Sequence, residues 1–236
     1  MLDLQCAGSR ILGFMTTTLD LAALFKRMTG DEKHEWAAAS TVDILWVLYD
    51  RVLNVDPTTV DDPDRDRFLL SKGHGPMAYY AVLAAKGFLD PAVLDDWTTF
   101  ASPLGQHPDR TLIPGAEIGS GSLGHGMAIA VGTALGLRAQ NRDKPRVFVL
   151  VGDGELDEGS NHEAIALAGR LNVRLTAIAV DNGSASHGWP GGIASRFTVE
   201  GWHATTVDGR DHDALYAALS ARHDGPNAVV ATIRKA

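Results

Sequence analysis

The chain has 236 residues, 45% of them apolar, enough to bury a full core as one large α/β domain. A net charge of −8 and a pI near 5.5 give no support for nucleic-acid binding, which needs a basic face. The one cysteine, Cys6, excludes a disulfide framework and a cysteine-rich metal site and fits a reducing, cytoplasmic compartment. No apolar run reaches the length of a membrane span.

The opening "MLDLQCAGSRILGF" is short and acidic near its start, unlike a secretory leader. Met15 then precedes "TTTLDLAALFKRM", an amphipathic helix with a Thr17-x-x-Asp20 cap. Residues 1–15 therefore read as an N-terminal extension and 16–236 as one domain. The N-terminal half reads as helical. "STVDILWVLYDRVL" has helical apolar spacing, with Ser40 and Asp43 as a capping pair. "PMAYYAVLAAKG" starts on Pro76 and stops on Gly87. "DPAVLDDWTTF" uses Asp90 as cap and Pro91 in the first turn, and "SLGHGMAIAVGTALGLRAQ" is a small-residue helix suited to close packing. Beyond it, "RVFVLV", "LTAIAV", "HATTV" and "AVVATI" alternate with helical stretches such as "NHEAIALAGRL" and "DALYAALSARH". That alternation predicts a parallel sheet with helices on both faces.

Ligands of open parallel sheets sit beyond the carboxyl ends of the strands. Gly152-Asp153-Gly154 and Asp181-Asn182-Gly183 both fall at such ends, one strand–helix–strand unit apart. Adjacent strands lie about 4.8 Å apart, so the side-chain oxygens of Asp153 and Asn182 can converge on one hard cation. Two such oxygens, diphosphate oxygens and a water suit octahedral Mg²⁺. A free Gly154 amide near the helix start favours an anion. By itself a Gly-Asp-Gly is also an ordinary strand-to-helix turn; the paired Asp-Asn-Gly shifts the reading to a metal–diphosphate site.

The pair resembles the thiamine diphosphate signature, a Gly-Asp-Gly followed about thirty residues later by a strand-end asparagine. Longer stretches are similar to transketolases, in family order over roughly residues 20 to 236. They are "HEWAAASTVDIL", "RDRFLLSKGHGPMAYYAVLAAKGFL", "QHPDRTLIPGAEIGSGSLGHGMAIAVGTALG" and "GDGELDEGSNHEA". The resemblance implies the thiamine diphosphate-binding fold, in its diphosphate domain, with thiamine diphosphate and Mg²⁺ (or Ca²⁺ or Mn²⁺) as cofactors. It places Asp153, Asn182 and the Ser184 carbonyl on the metal. Gly152, Gly154, Gly121 and Leu123 would border the cofactor, and His74 would lie over the diphosphate. His34 and His107 would face the sugar end, and Glu158 would lie at a partner interface. Glu158 reads equally well as a first-turn acid favoured by the helix dipole. His125, His162, His187, His203, His212 and His223 receive no role.

The resemblance also implies an incomplete site. In transketolases the glutamate that activates the aminopyrimidine belongs to a second domain, which nothing here resembles. The expectation is a split, two-component transketolase in an α2β2 assembly. A separate C-terminal subunit would carry the pyrimidine domain, and the substrates would be small sugars. Three departures accompany it: polar Ser184 and Ser186 where the family has aliphatics beside the thiazolium, no Pro-Gly-Gly after His34, and no further histidine segment after the last strand. Alternatives are another thiamine diphosphate carboligase of unusual-sugar or specialised metabolism, and a catalytically silent scaffold. Retention of both Asp153 and Asn182 weighs against the scaffold.

Overall fold

In a computed structural model, residues 21–29 and 35–234 are described. The extension 1–15, the Thr17-x-x-Asp20 cap and His34 lie outside them. Helices α1 (Leu21–Arg27), α2 (Glu35–Ala39) and α3 (Val42–Val47) come first, and a π-helical turn (Leu48–Val52) continues α3. The chain then alternates: β1 (Arg67–Leu70), α4 (Pro76–Ala85), α5 (His125–Ala139), β2 (Val147–Gly152), α6 (Gly159–Arg170), β3 (Thr176–Asp181), α7 (Ile193–Thr198), β4 (His203–Asp208), α8 (His212–Ser220) and β5 (Asn227–Thr232). The five strands form one sheet in the order β1-β2-β3-β5-β4, every pairing parallel. No helix among the described residues is long and apolar enough to cross a membrane.

The inner strands are continuous apolar runs because both of their faces are covered. Side chains alternate across a strand, so Phe148, Leu150, Ile178, Val180, Val229 and Ala231 pack on one face, against Leu24, Ile44, Leu45, Leu83 and Leu215. Val149, Val151, Ala177, Ala179 and Val230 pack on the other, against Met127, Val131, Ile165 and Phe197 of α5, α6 and α7. Each fully buried Ile, Leu, Val or Phe contributes about 1.5–3 kcal/mol relative to exposure. β1 and β4 are the edge strands, and most residues of β4 are exposed.

The first half departs from an all-helical reading. β1 is a strand of only four residues, "RFLL", too short for periodicity to separate it from a buried helical turn. The expected Ser40/Asp43 capping pair does not form. Thr41 is the N-cap of α3 and makes no side-chain cap bond. Ser40 Oγ donates instead to Ala37 O at 2.7 Å, while Asp43 accepts from Arg210 and contacts His212 Nε2 at 2.8 Å. Asp90 does cap, accepting from Ala92 N at 2.9 Å, but it opens a 3₁₀ turn over Pro91–Asp96 and not a longer α-helix.

Candidate cofactor site

Because all five strands are parallel, their carboxyl ends share one rim, and β1, β2 and β3 are neighbours there. Pairing of Gly152 with Val180 puts Asp153 and Asn182 just past the tips of adjacent strands, and Asp153 N donates to Val180 O at 3.0 Å. Asp153 is 1% exposed. Its Oδ1 accepts from Gly154 N at 2.9 Å and, in a short contact, from Ser184 Oγ. Its Oδ2 accepts from Ser184 N at 2.7 Å and Ala185 N at 3.2 Å. Asn182 Nδ2 donates to Ser40 Oγ at 3.2 Å, which fixes the carboxamide, and Asn182 Oδ1 is buried and accepts no hydrogen bond. The Ser184 carbonyl lies over Gly154, 3.3 Å from where a Cβ would stand.

These residues fit a hard divalent cation. A carboxylate, a carboxamide oxygen without a donor and a main-chain carbonyl form an all-oxygen donor set. Two details differ from the sequence-based expectation. The Gly154 amide is not free, because the neighbouring carboxylate folds back onto it. The Ser184 side chain also takes part, its hydroxyl bound to the same carboxylate oxygen. An ion on Asp153 Oδ1 would have to displace that hydroxyl.

The rest of the rim comes from loops after β1 and before α5. A Cβ on Gly73 would approach Leu123 Cδ2 to 2.9 Å and Gly121 O to 3.6 Å, so the His74 loop and the Gly121–Leu123 turn are in contact. Gly121 has φ +123°, and a Cβ there would meet the His107 ring at 2.6 Å. Only glycine allows that approach. Gly124, at φ +81°, is the N-cap of α5; Glu158 packs beside it, and Ser160 Oγ donates to its carbonyl at 2.8 Å. The structure thus brings His74, Gly121, Leu123 and His107 together, with Asp153, Gly154 and Asn182 at the neighbouring strand ends. His74, His107 and Glu158 are exposed.

Sequence reasoning gave no role to the buried charges behind this rim. Glu155, 3% exposed, accepts at Oε1 from Ser71 Oγ in a short contact and from Gly124 N at 3.0 Å, and at Oε2 from Gly152 N at 3.2 Å. Burial raises its pKa, and the bonds from Ser71, Gly124 and Gly152, with the charge of Lys72, pull the other way. Lys72, 6% exposed, donates from Nζ to Ala37 O at 2.8 Å and to His74 O in a short contact. Burial lowers its pKa to about 8, while Asp153 and Glu155 act to raise it. The available signal was positional: "LLSKGHG" sets a cation directly after an apolar strand run, where an ammonium must find partners inside the fold. Asp157 holds the loop beyond Asn182, accepting from Ser186 N at 3.1 Å and His187 N at 3.3 Å, with His187 Nδ1 at 3.2 Å. Burial tends to raise the Asp157 pKa, but the contacts to Ser186 and His187 lower it on balance.

An open, doubly covered parallel sheet with an oxygen-donor cluster and glycine turns at its strand tips defines an α/β cofactor-binding domain. Residues 20–233 match the family described as transketolase, thiamine diphosphate binding domain, and the chain belongs to that family. Over 218 residues it is 62% identical to "Ferredoxin fas2" of Rhodococcoides fascians, covering 92% of this chain and 72% of that protein. It is 43% identical over 140 residues to one subunit of the apulose-4-phosphate transketolase of Actinobacillus succinogenes, covering 59% of this chain and 50% of that one. The transketolase structure from Leishmania mexicana superposes with a TM-score of 0.73 at 26% identity, over 93% of this chain and 37% of that one. The match thus spans half of the apulose-4-phosphate transketolase polypeptide and just over a third of the solved transketolase.

Proposed function

We propose that this chain is the thiamine diphosphate- and Mg²⁺-binding subunit of a heteromeric transketolase that moves a two-carbon ketol unit from a ketose or ketose phosphate to an aldehyde. The observation that carries the reading is the pairing of buried Asp153 with Asn182 at adjacent strand tips, Asn182 Oδ1 being buried without a donor. Asp153, Asn182 and the Ser184 carbonyl hold the metal, with Ca²⁺ or Mn²⁺ as substitutes. Gly152, Gly154, Gly121 and Leu123 border the cofactor. His74 would contact its diphosphate, and His107 and His34 would bind sugar hydroxyls and move protons at their ring nitrogens. Glu158, exposed beside Gly124, meets the partner. Bound thiamine diphosphate supplies the electron sink for breaking and making the carbon–carbon bond.

The Actinobacillus succinogenes relative is named as one subunit of a transketolase, which supports a separate pyrimidine-domain partner, proposed here as an α2β2 assembly in the cytoplasm. The test is reconstitution. The chain alone should show no ketol transfer, and adding a pyrimidine-domain subunit should restore it; full turnover without a partner would refute the split-enzyme reading.

A second reading has one observation in its favour, the name ferredoxin on the 62% identical relative. A four-cysteine iron–sulfur cluster cannot be built from a sequence with one cysteine. Electron transfer would then belong to another polypeptide or segment, with the same cofactor site serving oxidation of a 2-oxo acid. Supplying the reconstituted pair with a 2-oxo acid and ferricyanide, against a ketose and an aldehyde, separates the two.

A further inference from the structure

We infer that Glu155 is a positioning residue for the cofactor site, a buried carboxylate that fixes the tip of β2 and the turn before α5 in their binding geometry. This rests on the thiamine diphosphate reading above. Glu155 joins three segments far apart in sequence. Gly152, whose amide donates to it, is the residue before Asp153; Gly124, whose amide also donates to it, follows Leu123; and Ser71 directly follows β1. Ser71 Oγ relays the tie, donating to Glu155 Oε1 and accepting from Gly126 N at 3.0 Å, in the first turn of α5. The backbone is anchored as well, since Asn161 Nδ2 of α6 donates to Glu155 O at 2.6 Å. Glu155 is itself too buried, and too fully engaged by these donors, to act as a metal ligand or a proton shuttle. Only a group that accepts on both oxygens meets all three donors. A carboxylate does so, whereas a carboxamide of the same shape turns an NH₂ toward one of the amides.

The test compares the full-length chain with Glu155→Gln. Thiamine diphosphate is titrated at saturating Mg²⁺, and Mg²⁺ at fixed thiamine diphosphate, by quenching of the five tryptophans. Thermal midpoints and amide exchange at Gly124 and Gly152 are measured on the cofactor-free proteins. Affinity should weaken about 10- to 100-fold, the range seen when residues that orient metal ligands are changed. Exchange at both glycines should accelerate. A residue that only stabilised the fold would lower the midpoint but leave the Kd of the folded protein unchanged well below it. Should Glu155→Gln fail to fold, Ser71→Ala removes the relay and should weaken binding roughly 2- to 10-fold. Affinity equal to wild type, or unchanged exchange at Gly124 and Gly152, overturns the inference. A wild-type chain that binds no thiamine diphosphate with Mg²⁺, alone or with its partner, overturns the proposed function and takes this inference with it.

Discussion

Lys72 offers a quantitative test of how the fold treats the charges behind its site. The residue is 6% exposed, and burial lowers its pKa from 10.5 to about 8. The unfolded chain keeps the ordinary value, so between pH 8 and 10.5 it holds a proton that the folded chain has released. Stability therefore rises with pH across that window, by about 3 kcal/mol in full at roughly 1.4 kcal/mol per pH unit. Below pH 8 both states are charged and the term is flat. Lys72→Met keeps an unbranched, apolar side chain of similar length and removes the titration. Burial also raises the phenol pKa values of Tyr79 and Tyr80, which costs stability above pH 10, but equally in both proteins, so the difference between them isolates Lys72. Urea unfolding followed by tryptophan fluorescence at pH 7.5 and pH 10 reads that difference. With a slope of about 2–3 kcal/mol per molar, the wild-type midpoint should gain about 1 M on the variant between the two pH values. Midpoints that keep the same separation would show that Lys72 is not desolvated as the structure places it, and would refute the reasoning.

Asp153→Ala should abolish Mg²⁺-dependent binding of thiamine diphosphate, a loss above the roughly 100-fold typical of changes one step removed from a metal; titration calorimetry with and without the ion checks this. Ser184→Ala should act in the opposite direction, because its hydroxyl competes for Asp153 Oδ1, and Mg²⁺ should bind about 2- to 10-fold tighter; weaker binding would show that the hydroxyl helps hold the ion. Two glycines of α5 should respond with opposite signs. A Cβ on Gly126 would overlap the Ser71 side chain and stand 3.0 Å from its Cα, so Gly126→Ala should cost about 1–3 kcal/mol of unfolding free energy. A Cβ on Gly132 would meet nothing within 4 Å, so Gly132→Ala should add about 0.5–1 kcal/mol through helix propensity alone. Denaturant titrations of the two variants measure both.

Much of the architecture follows from local pattern. "RVFVLV" and "LTAIAV" are runs of apolar residues because both strand faces are covered, and the helices between them show the other period. Alternation of that kind dictates parallel pairing, and parallel pairing dictates that Asp153 and Asn182 share a rim. The place of the candidate site was legible for that reason: Asp153 and Asn182 sit at strand ends, and strand ends are marked in the sequence.

What local pattern does not encode is which distant groups meet. β5 lies between β3 and β4, and β1 is a four-residue strand; both are decided by pairing across the sheet. Ser40 reaches Asn182 across 142 positions, and Ser71 reaches Glu155 across 84. A polar residue in a sequence carries the same donors and acceptors whether it caps a helix or faces a strand tip; only its burial and its neighbours select the partner. Ser40 therefore read as a cap when its hydroxyl belongs to the rim, and Gly154 read as a free amide when its neighbour's carboxylate already binds it. The order of residues set which backbone ends converge, because hydrophobic periodicity is local. The tertiary structure alone set which buried charges hold them, because hydrogen bonds at close range are won by whichever groups the packed sheet and helices bring within reach.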